Sequence, residues 1–247
     1  MSDKEINEVL DKESDKGLEE NKKETEPIFE EHPESEHKEK KTAGQKFFEL
    51  CDRFGDLFLL NILFDLTCIP IFTIGASITA LYTVTNKMVK GEEGVVRDEY
   101  FKAFKKNFKA ATPAWLIVLV LGYIVYVGVA YSATGDADSV KYTALLTAAG
   151  MILLSFLVPL LFPLIARYEN STFAMIKNTL IISVTNLGIW FRVFFVWIVP
   201  VILYVMIPKI FYYTWYIWLL FLMAFLAYVN SMSLWKLYEK LEARDEE

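Results

Sequence analysis

A carboxylate inside a long apolar stretch is costly to bury unless it finds a partner, so such positions are where chemistry is looked for first in this chain. Asp65 is the foremost of them. Asn61 stands four positions earlier, on the same face of a helix, and Pro70-Ile71-Phe72-Thr73-Ile74-Gly75 follows as a plausible helix break. Asn61, Asp65, Pro70 and Gly75 therefore form a candidate polar membrane site. Two roles remain open for Asp65. It could couple an ion or touch a substrate where a discontinuous helix exposes backbone groups. It could instead be held structurally by Asn61, a Thr hydroxyl or the backbone donors of the break. Arg192 lies within a turn of the end of its own apolar run, where its stem can snorkel to headgroups.

The second constellation is Phe101, Phe104 and Phe108 at helical spacing, interleaved with Lys102, Lys105, Lys106 and Lys109. It reads as an amphipathic helix at the lipid interface over about 97–110, cations toward an anionic inner leaflet. A similar plan recurs at about 171–187, where Phe173, Ile176, Leu180 and Val184 line one face; the shared Lys-Asn steps at 106–107 and 177–178 hint at a duplication. Catalytic constellations are missing. Both histidines, His32 and His37, lie in the first 45 residues, and Cys51 and Cys68 have no histidine near them. With no nucleophile elbow, phosphate loop or zinc-binding helix, the expectation is no enzyme activity, no cofactor and no metal. The two cysteines read as small packing residues.

The elements that must position these residues follow from charge and length. Of 247 residues, the first 45 carry 15 acidic and 8 basic side chains, a net charge of −7, and the remainder carries 17 basic and 16 acidic, a net charge of +1. That acidic stretch is nearly free of aromatics and is read as a disordered tail. The overall charge balance excludes a nucleic-acid binder. Residues 110–135, 142–166 and 210–235 contain no Asp, Glu, Lys or Arg, and each can cross a bilayer. Residues 178–208, interrupted only by Arg192, would be about 46 Å as one helix, so part stands outside the core. The first run, 57–86, is either one long tilted helix or a broken hairpin; charge bias favours the hairpin.

The predicted fold is thus an all-α, polytopic membrane bundle of five or six segments, near 56–70, 74–89, 112–132, 142–166, 189–207 and 212–235, with a charged C-terminal tail at 241–247. Seven cations between Lys87 and Lys109 mark a cytoplasmic loop, which puts both termini inside. Tyr131, Tyr142, Tyr212, Tyr213 and Trp215 then form an outer aromatic belt, and Trp115, Trp190, Trp235 and Tyr238 an inner one. No cleavable signal peptide is read at the N-terminus.

The segments Gly55-Asp56-Leu57 to Asn61, Cys68-Ile69-Pro70-Ile71-Phe72-Thr73-Ile74-Gly75-Ala76-Ser77, Ala80-Leu81-Tyr82 and Phe101 to Lys109 resemble the YesL-like family of bacterial membrane proteins, a domain of unknown function, over about 44–240. The resemblance implies an all-helical membrane protein whose relatives are often encoded beside carbohydrate ABC-transporter and glycan-degradation genes. It assigns no catalytic residue and does not extend to the acidic tail. The function expected is a non-enzymatic accessory component of carbohydrate uptake or the cell envelope, with a carbohydrate ABC transporter as implied partner. A small transporter centred on Asp65 is the alternative, and a membrane enzyme the third reading.

Overall fold

The computed structural model describes residues 43–245, apart from residue 93 and residues 133–136. The order of elements is α1 (Ala43–Cys68), a short 3-10 turn (Ile71–Thr73), α2 (Ile74–Lys90), α3 (Val96–Ser132), α4 (Ala137–Arg167), α5 (Thr172–Thr185), α6 (Leu187–Met206), α7 (Pro208–Ile217), a π-turn (Trp218–Leu222) and α8 (Met223–Asp245). Every described element is helical, and four stretches are long and apolar enough to cross a membrane: Val96–Ser132, Val140–Arg167, Leu187–Met206 and Tyr212–Ala243. The chain is an all-α membrane-type bundle.

The shortest of the central helices holds it together. α2 packs on α3, α4 and α8. Its 17 residues reach about 26 Å, short of a ~30 Å hydrocarbon core. They include Gly75, Ala76, Ser77, Thr79, Ala80 and Thr85, all buried. Small side chains let helix backbones approach where lipid gives no hydrophobic drive to associate. Ser77, Thr79 and Thr83 return their hydroxyls to carbonyls four residues back, so these three are satisfied within the helix. Gly91 ends the helix with φ +73, the left-handed geometry that glycine adopts freely, and Glu92 N–H bonds Lys87 O at 3.1 Å.

Several boundaries differ from expectation. The tail expected to run to residue 45 gives way to helix at Ala43; His32 and His37 lie outside the described residues. The interface helix and the following span are one element, because Pro113 removes only a single backbone donor and α3 runs through it for 37 residues. The expected charged tail from 241 is helical to Asp245, since Glu242 Oε1 accepts from Arg167 Nε and Nη2 at 3.0 and 2.6 Å. α7, the π-turn and α8 form one interrupted helix longer than the segment expected at 212–235.

Contacts gather the cations at one end. Lys90 lies 4.6 Å over the Trp235 ring, Arg167 sits over the same ring, Lys106 pairs with Glu169, and Lys240 donates to Asn186. At the opposite end Tyr131, Tyr142, Tyr212, Tyr213 and Trp215 are exposed. The expected inner belt is different. Trp115, Trp190 and Tyr238 point into the protein and donate to the carbonyls of Ile71, Ser155 and Pro163 at 2.7, 2.9 and 3.0 Å. Pro159 has no N–H to give Ser155, which leaves that carbonyl for the Trp190 indole.

Candidate functional site

Asn61 is fully buried on α1 and faces the π-turn. Its Nδ2 donates to Leu219 O at 2.5 Å and to Asp65 Oδ2 at 3.0 Å, and its Oδ1 accepts from Ala224 N–H at 2.9 Å. A π-turn carries one residue more than the α-helix into which it is set, so a carbonyl and an N–H go unmatched where the two meet. The Asn61 amide supplies the missing partner to both. Two acceptors on one side and one donor on the other fix which end of the amide is nitrogen. Asp65, half-buried, is one of those acceptors and so orients Asn61. Phe54 stacks on Phe221 at 5.4 Å and Arg53 Nη1 donates to Tyr228 Oη at 2.6 Å, closing α1 against the same helix.

The break after Cys68 is satisfied within the protein. Thr73 Oγ1 lies 2.5 Å from Thr67 O and 2.6 Å from Pro70 O, and Thr73 N–H also bonds Pro70 O at 3.0 Å. Thr67 Oγ1 is 2.6 Å from Tyr100 Oη, and the Trp115 indole takes Ile71 O. A break between helices packed inside a protein needs its carbonyls met in this way. Gly75 begins α2 where α3 crosses it. A Cβ there would fall 2.5 Å from Trp115 Cβ and 2.6 Å from Ala111 O, so only glycine fits. The four residues singled out from sequence are thus divided: Asn61 and Asp65 join α1 to the π-turn, whereas Pro70 and Gly75 shape the α1–α3 corner. Sequence reasoning missed Tyr100, Trp115 and the π-turn. Trp218 to Leu222 is uniformly apolar and offers no signal for a turn.

On α3 the buried stripe is Val96, Tyr100, Ala103, Asn107, Ala111, Ala114 and Val118. Phe101 is exposed, while Phe104 and Phe108 lie on the shoulder of this stripe, partly buried against the core. α5 behaves in the same way: Met175, Thr179 and Ser183 are buried, and Phe173 and Val184 are exposed. In both helices the face toward the bundle is offset by one position from the phenylalanine-rich face. Lys106 hydrogen-bonds Glu169, and that bond, together with the lysine charge, holds the Glu169 carboxyl below the ordinary glutamate range. Lys102, Lys105 and Lys109 are exposed and pair with none of the described residues.

A cleft of about 310 Å³ lies between α2, α4 and α6, bounded by Ile78, Tyr82, Phe162, Phe194, Trp197 and Val201. Tyr82 Oη is occupied by Trp197 Nε1 at 3.1 Å and Asn230 Nδ2 at 3.3 Å, so the walls are apolar and suit hydrocarbon rather than a polar solute. A second cavity of about 370 Å³ at the basic end is lined by Tyr168, Glu169, Asn170 and Asn178 together with Leu164 and Leu241. Cys51 is exposed and Cys68 half-buried, and both are free thiols. Among the described residues no three His, Cys, Asp or Glu side chains come together as metal ligands.

No curated protein and no solved structure matches the chain. A family model does: the family described as "Protein of unknown function, DUF624" matches residues 57–129, the stretch that holds Asn61, Asp65, the Pro70 break, α2 and nearly all of α3.

Proposed function

We propose that the chain is a multi-pass protein of the bacterial cell membrane, both termini cytoplasmic, that serves carbohydrate uptake or the cell envelope as an accessory component without turning over a substrate itself. One observation carries this reading. Lys102, Lys105 and Lys109 are exposed at the basic end, while Asn61, Asp65, Thr67 and Thr73 are engaged with one another or with neighbouring helices. A solute path needs polar groups left for the solute. An accessory protein needs an outward surface, here a cationic one for anionic lipid headgroups and for a carbohydrate ABC transporter. The cytoplasmic side follows from the cations gathered at one end, since loops rich in Lys and Arg are retained inside. The tie to carbohydrate rests on the YesL-like resemblance of the Pro70 segment and the basic helix.

Uptake of labelled sugars tests it, in strains that lack this protein, a carbohydrate transporter encoded beside it, or both. Loss of the protein should lower uptake where the transporter is present and change nothing where it is absent. Uptake that depends on this protein in the strain without the transporter would make it a carrier in its own right.

A further inference from the structure

The helix that runs from Pro208 to Asp245 is buried in the bundle at one end and exposed at the other. Beyond the π-turn, Ala224, Ala227, Leu234, Leu237 and Tyr238 are buried; Ser231 shares a hydrogen bond of 2.8 Å with Thr85, and Asn230 bonds Tyr82. Before the turn, Tyr212, Tyr213, Trp215 and Tyr216 are all exposed. Between the two stands a turn with one residue in excess, whose unmatched carbonyl and N–H are both held by one side chain from another helix.

We propose that Asn61 and the π-turn form a register latch. While the amide holds Leu219 O and Ala224 N–H, the extra residue stays between positions 218 and 222. When Asn61 withdraws, those two backbone groups lose their partner, and the helix regains full pairing by passing the extra residue toward Pro208. One residue of an α-helix is about 100° of rotation and 1.5 Å of rise. Because α8 is anchored to α2, the motion falls on Pro208–Ile217, and the exposed aromatic face of that stretch turns with it. Asp65 is the positioning residue: by accepting from Nδ2 it keeps the amide turned the right way round. The latch thus links α1, next to the Pro70 break, to a surface at the far end of the bundle.

Two full-length experiments test this. Nitroxide labels at Tyr142→Cys and Tyr213→Cys, in a Cys51→Ser, Cys68→Ser background, report the distance from the end of α4 to α7 by pulsed electron resonance. The latched protein should give one distance. Asn61→Leu should add a second, and deletion of Leu220, which removes the excess residue outright, should give the second alone. The second experiment is the cycle of Asn61→Leu, the Leu220 deletion and the two combined, read as thermal unfolding and abundance in the membrane. Each single change should lower both, and the combination should recover most of the loss, because a continuous helix no longer needs the amide. A single unchanged distance in Asn61→Leu, or losses that simply add in the double variant, would overturn the latch. Should Asn61→Leu fail to accumulate, the combined variant still decides: recovery supports the latch and its failure refutes it.

Discussion

The corner around Pro70 and the first half of α3 are both rich in polar groups, and they spend them in opposite directions. Along α1 and through the corner that follows it, Asn61, Asp65, Thr67 and Thr73 meet other groups of the same protein. On α3, Lys102, Lys105 and Lys109 are exposed. Burial explains the contrast: inside the protein each unsatisfied polar group is costly, so internal pairing is forced, whereas an exposed lysine finds its partners outside the chain. The polar residues of α1 and the break that follows it are thus architecture first. Those at the edge are free for contact.

The largest expected effect falls on the corner. Gly75→Ala should destabilise by about 3 kcal/mol, the upper end for overpacking, because the added Cβ meets Trp115 and backbone at α3. The same substitution at Gly122, with nothing within 4 Å, should be neutral or slightly stabilising. Thermal unfolding of the two variants in detergent checks this pair, and equal behaviour would remove the argument for a tight crossing.

A smaller effect is expected at the edge. Replacing Lys102, Lys105 and Lys109 with glutamine should weaken association with anionic vesicles by about 1 kcal/mol for each cation lost, and leave thermal stability unchanged. Lys106→Gln should weaken it by a similar amount, because it uncovers the Glu169 charge, but it alone of the four should also lower thermal stability slightly. Vesicle flotation of the purified protein's detergent-free nanodiscs against anionic and neutral liposomes makes the measurement. Equal thermal stability in Lys106→Gln and Lys105→Gln would erase the distinction between spent and unspent charge.

The smallest effect is one of pH. Glu169 has a folded pKa below its unfolded value, so its pairing with Lys106 contributes stability above the unfolded value and loses it as pH falls through the lowered one. Both groups are exposed, so acidification should loosen the α3–α5 contact only slightly. Hydrogen exchange at 172–176, compared between neutral and acid pH in wild type and Glu169→Gln, follows that change; it should vanish in the variant.

The comparison also explains what sequence could reveal. Run length and charge spacing identify the long spans, and the four stretches apolar enough to cross lie in regions read that way. On α3 and α5 apolar periodicity points to an outward face and leaves the packing face, one position over, unmarked. The bundle is packed through Tyr100, Ala103, Asn107 and Ala111, and through Met175, Thr179 and Ser183, small or polar positions that an apolar count passes over. Trp115, Trp190 and Tyr238 mislead for a related reason: a tryptophan or tyrosine suits a headgroup belt and a stranded carbonyl equally well, and only the fold brings Ile71, Ser155 and Pro163 within reach. Asn61 and Asp65 stood out because polar groups in an apolar run are visible. Their partner on the π-turn was not, because a backbone carbonyl and an N–H have no letter in the sequence.

Asp65 carries the central claim that the polar groups of α1 and the break build the protein rather than move a solute. The direct measurement sets Asp65→Asn beside Asp65→Leu, with abundance in the membrane and sugar uptake read for both. An amide at 65 can still accept from Asn61, so Asp65→Asn should leave abundance and uptake nearly unchanged, while Asp65→Leu, which leaves the Asn61 donor unmatched, should lower abundance, with a loss of about 1–3 kcal/mol. Normal abundance with complete loss of uptake in Asp65→Asn would contradict the account and put an ionised carboxylate at the centre of transport.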